Sequence, residues 1–286
     1  MMFSHSYFTT TNPIQSMICP IFQLPSTITS DSTPLDTSKK VYYEATFGRW
    51  PVKCEDGLFK EGDKLQNVKK QIEEDLVAAS AKLPTTSYTC LQSSTPIWIN
   101  RNQKYGPRCA PVTGTGACFH PEKEWIESNG MCGEKCGGVE LYEVEKYADD
   151  RNLWHGTGGV MLHEFSHAWH YKFVEDGYEN REILECYHQA MEEKLYDNVS
   201  VHCFDDEGES NGKTKKQKIK KQRAYACTNA MEYFAELSTA FLGGVGDDQD
   251  IEFNRWFPFN RKQVKEHDPR AYKLLKKIWN IKGESD

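Results

Sequence analysis

The 286-residue chain has no run approaching ~18 consecutive apolar residues, so no membrane-spanning helix is expected. It has no basic excess either. Thirty-five Lys and Arg against 42 Asp and Glu leave a net charge of −7, which argues against a polycation that coats nucleic acid. Ten cysteines are present, but only Cys132 and Cys136 sit close together. The second short Cys/His pair that would close a structural zinc site is missing. The apolar patch Met17-Ile18-Cys19-Pro20-Ile21-Phe22 lacks a basic lead-in and is broken by Pro20, so it does not read as a signal peptide. No internal repeat is evident.

What is there begins with an even number of dispersed cysteines, the pattern of disulfides formed in an oxidising compartment. The sequon Asn198-Val199-Ser200 points the same way, and together they predict a secreted, extracellular protein. Free buried thiols are the other reading of the same count. Residues 1–38 are rich in Ser, Thr and Pro without a period and read as a flexible leader; 39–286 read as one domain. Strands are expected at Val41 to Phe47, Thr95 to Asn100 and Gly137 to Tyr147, and a helix over Asp63 to Leu83 that stops at Pro84. Further helices are expected at Val160 to Phe173, Arg181 to Tyr196, Thr228 to Leu242 and Asp268 to Trp279. A charged insertion loop spans 197–224, acidic at Asp205 to Glu209 and then basic, with seven Lys or Arg among the eleven residues Lys213 to Arg223. It reads as a solvated insertion, since the aromatic interleaving of a nucleic-acid strip is absent. Strands first and helices afterwards, without regular alternation, predict an α+β fold: a small mixed sheet, then a helical half.

The chemistry concentrates at His163-Glu164-Phe165-Ser166-His167. On a helix the two imidazoles, four residues apart, share one face and can meet one zinc ion. Glu164, beside the first of them, is placed to take a proton from water. No charge other than Glu164 interrupts positions 160 to 169, so the helix reads as buried, and buried polar groups need partners. Core histidines satisfied by backbone carbonyls are the plain alternative.

A zinc enzyme of this type needs a third protein ligand. The extended pattern with Gly at 170 and His at 173 is excluded, because His170 and Phe173 stand there. The other source is a carboxylate on a later helix, and Glu232 and Glu236, four residues apart, supply two. One can bind metal while the other accepts a hydrogen bond from a ligand histidine. Asn229 with Glu232 also reads as a capping box, in which Glu232 merely satisfies the helix start.

Tyr225-Ala226-Cys227-Thr228-Asn229-Ala230-Met231-Glu232-Tyr233-Phe234-Ala235-Glu236, following the His163–His167 motif, resembles the catalytic domain of anthrax toxin lethal factor and its relatives, zinc peptidases of the gluzincin type. The resemblance covers about residues 137–280. It implies a zincin-like domain with one zinc on His163, His167 and Glu232. Glu164 would be the general base, Tyr225 the oxyanion donor, and Glu236 a support behind the ligands. Ser166 stands where Gly is common in the family, and the stretch from His167 to Glu232 is lengthened by the charged loop. Nothing corresponds to the toxin's delivery and partner-binding domains, so cell entry and the toxin's substrate do not carry over.

The resemblance further implies that Gly137 to Tyr147 supplies an edge strand for pairing with extended substrate. The expected function is therefore zinc-dependent endopeptidase activity on a peptide or protein, by a monomer with neither nucleic-acid partner nor membrane insertion. The rival is a secreted interaction protein that binds zinc without turnover. Cys203 and Cys227 are the first expected disulfide, closing the charged loop; Cys186 is another bridge candidate, and Cys19 a candidate cap for the zinc. His155 reads as a rim or surface residue, with a ligand or substrate contact as the sharper alternative. Arg255 to Asn260 is aromatic enough to wall a pocket, with core packing its plainer use.

Overall fold

The structure, a computed structural model, describes residues 40–60, 63–105, 110–111, 116–204, 217–244 and 250–281. The chain divides into two units, 1–31 and 32–286. The first, with Cys19, and the rest of the expected 1–38 leader lie outside the described residues, and everything below concerns the second unit.

Strand β1 (Tyr42–Phe47) turns back into β2 (Trp50–Glu55) through Gly48 and Arg49. Both turn residues have positive φ (52° and 75°), the geometry that matches a tight hairpin to strand twist. Helices α1 (Gln66–Lys82) and α2 (Thr85–Ser94) carry the chain to β3 (Ile97–Ile99), which pairs parallel to β2. Pro84 ends the first helix and opens the second, since its ring fits a helix start but not an interior. Two-residue strands β4 (Lys104–Tyr105) and β5 (Ala110–Pro111) pair with each other. Next come β6 (Ala117–Phe119), α3 (Lys123–Ser128), β7 (Val139–Leu141) and α4 (Val144–Asp150). The main sheet has the order β1-β2-β3-β7-β6, with β2, β3 and β7 parallel and an antiparallel strand at each side.

The second half supplies α5 (Gly159–Phe173), α6 (Arg181–Glu192), β8 (Val199–Phe204), β9 (Gln217–Gln222), α7 (Ala230–Gly243), α8 (Arg261–His267) and α9 (Pro269–Ile278). The fold is α+β, as expected. Helix α7 is its axis, packing on α5, α6, α8 and α9, with every residue from Glu232 to Gly243 buried. Asp268 ties this region together: it caps α9 at the Ala271 N–H and accepts the hydroxyls of Tyr196 and Tyr233. One continuous core joins Trp50, Val52, Ile97, Ile99 and Val139 of the sheet to Ile72, Leu76, Leu162, Phe165, Phe234 and Phe241 of the helices. Trp50 stacks on Phe165 with ring centroids 4.2 Å apart, which locks α5 to the sheet.

Three expectations change. Gly137 to Tyr147 is not one edge strand: β7 is three residues long, α4 begins at Val144, and β7 lies inside the sheet between β3 and β6. Its Glu140 is buried and bound by Lys135, His120 (2.7 Å) and Asn100 (2.7 Å), a set of partners that an open edge does not offer. The 197–224 segment is not a loop at its flanks. β8 and β9 form an antiparallel ladder from Val199↔Gln222 to Phe204↔Gln217, because Val199 and Val201 turn into the core. The acidic stretch and residues 213–216 lie outside the described residues. Finally, Cys203, Cys227 and Cys186 are free thiols, and no disulfide joins two of the described cysteines. Cys203 Sγ instead faces the Lys218 carbonyl across the hairpin, while Cys227 is buried at the turn before α7. No helix among the described residues is long and apolar enough to cross a membrane.

Candidate metal centre

Helix α5 brings His163, Glu164 and His167 into the interior, where all three are buried. Its entry is set by α1. Asp75, buried on that helix, accepts from the Gly158 N–H (2.9 Å), from Tyr147 Oη (2.7 Å) and from Arg151 through both carboxylate oxygens (2.7 and 2.6 Å). Gly158 has φ 86°, and a Cβ there would lie 2.6 Å from the Asp75 carbonyl oxygen, so only glycine fits this approach. Trp154 then packs edge-on against His163, ring centroids 5.6 Å apart.

Helix α7 lies across from α5 and delivers Glu232. Its start is capped by Asn229, whose side chain accepts from the Glu232 N–H at 2.8 Å. The backbone of Glu232 is capped by Asn229, while its carboxylate turns to the histidines. Glu232 Oε2 lies 3.2 Å from His163 Nε2 and 3.2 Å from His167 Nε2, and the two nitrogens are 3.1 Å apart. Three lone-pair atoms in a near-equilateral triangle are what a tetrahedral metal with bonds of about 2.0–2.1 Å asks of its ligands, whose edges are then about 3.4 Å. The residues therefore fit a metal ion.

The support is built from the next layer. His163 Nδ1 lies 3.3 Å from Glu236 Oε1, an ion-pair contact off the line of a good hydrogen bond. Glu236 Oε2 accepts from Asn254 Nδ2 at 3.0 Å, and Asn254 also donates to the Trp256 carbonyl, so the 254–258 turn holds Glu236 from behind. Tyr225, on the turn just before α7, donates its hydroxyl to Glu232 Oε1 at 3.0 Å. Glu164 accepts from the Phe119 N–H at 2.8 Å, which places strand β6 against the site.

The electrostatics follow from this packing. Burial raises the Glu164 carboxyl above the ordinary range, only partly offset by the two imidazoles. Burial works the same way on Glu232, but His167 and His163 outweigh it and hold this carboxyl far below the ordinary range. Burial disfavours charge on His163, yet Glu232 and Glu236 win there and keep its pKa well above the usual imidazole value. A proton and a metal ion compete for these lone pairs, so metal uptake releases protons.

All six residues singled out in the sequence, His163, Glu164, His167, Tyr225, Glu232 and Glu236, are brought to this one place. Three partners were not foreseen: Phe119, Asp75 and Asn254. Asn254 stands one residue before the aromatic stretch Arg255 to Asn260, and its spacing to Glu236 follows no helix or strand period. Within that stretch Trp256 serves both readings, buried on one side and lining an open pocket with Arg223, Tyr225, Cys227 and Thr228 on the other. Comparison with known proteins finds no matching family, no matching curated protein and no matching solved structure.

Proposed function

We propose that the chain is a zinc-dependent metallopeptidase with a zincin-like, gluzincin-type site that hydrolyses peptide bonds. The observation that carries the reading is the triangle of His163, His167 and Glu232, with Glu164 and Tyr225 converging on it. A zinc ion held there supplies a Lewis acid that acidifies water and polarises a peptide carbonyl.

The chain's own residues carry the rest. Glu164 takes the proton of the attacking water and passes it to the leaving amine; its raised pKa suits a group that must both accept and donate. Tyr225, which donates to Glu232 in this structure, swings its phenol to the oxyanion that develops as water adds to the carbonyl carbon. Glu236 holds His163 in place, and Asn254 holds Glu236. β6 is an outer strand of the main sheet whose Phe119 amide already touches Glu164, so an extended peptide added along it brings its carbonyl to the base. The pocket between Tyr225 and Trp256 supports the same reading, since it offers a side-chain recess beside the phenol.

The test is metal analysis followed by digestion of a mixed peptide pool. The wild type is expected to cleave, and Glu164→Gln to keep its zinc while losing activity by at least ~100-fold. A chain that binds zinc but cleaves nothing is a binder and overturns the hydrolytic reading. Full activity in Glu164→Gln overturns it too.

A further inference from the structure

A second His/Glu cluster lies outside this site. His155 stands on the turn before α5, His202 on β8, and Glu252 on the segment between α7 and α8. His155 Nε2 and His202 Nδ1 are 3.1 Å apart, with ring centroids at 3.8 Å. Glu252 Oε2 lies 3.7 Å from His155 Nδ1 and 4.0 Å from His202 Nε2. His202 is buried, and its Nε2 has no hydrogen-bond partner. A buried ring nitrogen left in that state is uncommon and points to a ligand.

The frame around the rings is firm. The His202 N–H donates to the Arg255 carbonyl at 3.1 Å, and Arg255 Nε donates back to the His202 carbonyl at 3.2 Å. The Gly156 N–H, next to His155, donates to the Phe253 carbonyl at 3.2 Å. The Phe259 ring packs on both imidazoles. The nitrogens turned to Glu252 are His155 Nδ1 and His202 Nε2. One ligand atom from each of the three residues lies within 4.8 Å of the others, and the half-exposed Glu252 side chain and His155 ring have to close in to complete a coordination triangle.

We infer that His155, His202 and Glu252 form a second binding site for a divalent cation. Two imidazoles and one carboxylate suit zinc, cobalt or nickel rather than calcium or magnesium. The cation would fasten β8 and the 250–260 segment to the turn that feeds α5, one residue from the Trp154 ring that packs on His163. With one partly exposed carboxylate and, among the described residues, no carboxylate behind either ring, it binds more weakly than the buried site. The inference rests on this geometry and not on the hydrolytic reading.

The test uses the full chain, stripped with a chelator and titrated with Zn²⁺ by calorimetry and with Co²⁺ by absorption spectroscopy. The wild type is expected to take two equivalents, tight then weaker. His155→Ala and Glu252→Gln, both at half-exposed positions and with unchanged thermal melting, are expected to take only the tight one. A His163→Ala/His167→Ala double variant is expected to lose the tight equivalent and keep the weaker. Uptake of a single equivalent by the wild type overturns the inference. So does retention of both equivalents by His155→Ala and Glu252→Gln, and either result is read whether or not the protein cleaves peptides.

Discussion

The cluster of His163, His167 and Glu232 and the cluster of His155, His202 and Glu252 use the same donor types on different supports. The first is mounted on two long, buried helices, and its histidine and carboxylate are held in turn by Glu236 and Tyr225. The second is assembled from a turn, a strand and a loop, and Phe259 is the main thing its rings rest on. In the first, three donors already stand 3.1–3.2 Å apart. In the second, only the two rings are that close, and the carboxylate stands off. What separates them is preorganisation: a buried support fixes donors before the ligand arrives, whereas an exposed carboxylate has to be ordered at the cost of side-chain entropy.

The comparison can be broken most strongly by removing a ligand. His167→Ala should weaken the tight metal equivalent by more than about 100-fold while leaving the weaker one unchanged, as read by calorimetry. Tyr225→Phe should separate metal holding from turnover. Under the proposed function kcat falls by roughly 100-fold with zinc content unchanged, because the lost hydroxyl acts on the oxyanion. Glu236→Gln should sharpen the contrast in support: the tight site weakens by about 10–100-fold, whereas the second cluster, which Glu236 does not touch, keeps its affinity. Smallest is Gly158→Ala, on the turn between the two clusters. Strain at positive φ and the close Asp75 carbonyl should cost about 1–3 kcal/mol, seen as a lower urea midpoint with both metal equivalents retained.

Much of the buried site was legible because helices convert sequence spacing into spatial proximity. His163 with His167, and Glu232 with Glu236, stand four apart, and a charge-free stretch from 165 to 169 says which way the first helix faces. The strands were harder. Three-residue β3, β6 and β7 are too short to show an alternating period, so β6 went unseen and the edge position was assigned to β7. The charged hairpin was missed because β9 is rich in Lys and exposed along most of its length; only its partner β8 carries the buried valines that give it a face. The cysteine count misled in its own way. An even number is compatible with pairing, but pairing needs two Cα atoms within about 7 Å, and that is decided by the fold.

Taken alone, the sequence determined the α+β class and the two helices that carry His163, His167, Glu232 and Glu236, since each follows from local periodicity; the choice of Glu232 over Glu236 came from the resemblance. Only the tertiary structure decided that β6 rather than β7 meets Glu164, that Asp75 seats the start of α5, and that Asn254 stands behind Glu236. It alone also brought His155 beside His202, 47 residues further along the chain. The physical reason is common to all four. Each contact joins residues from different elements, and such contacts are set by how buried faces pack together, which no spacing along the chain encodes.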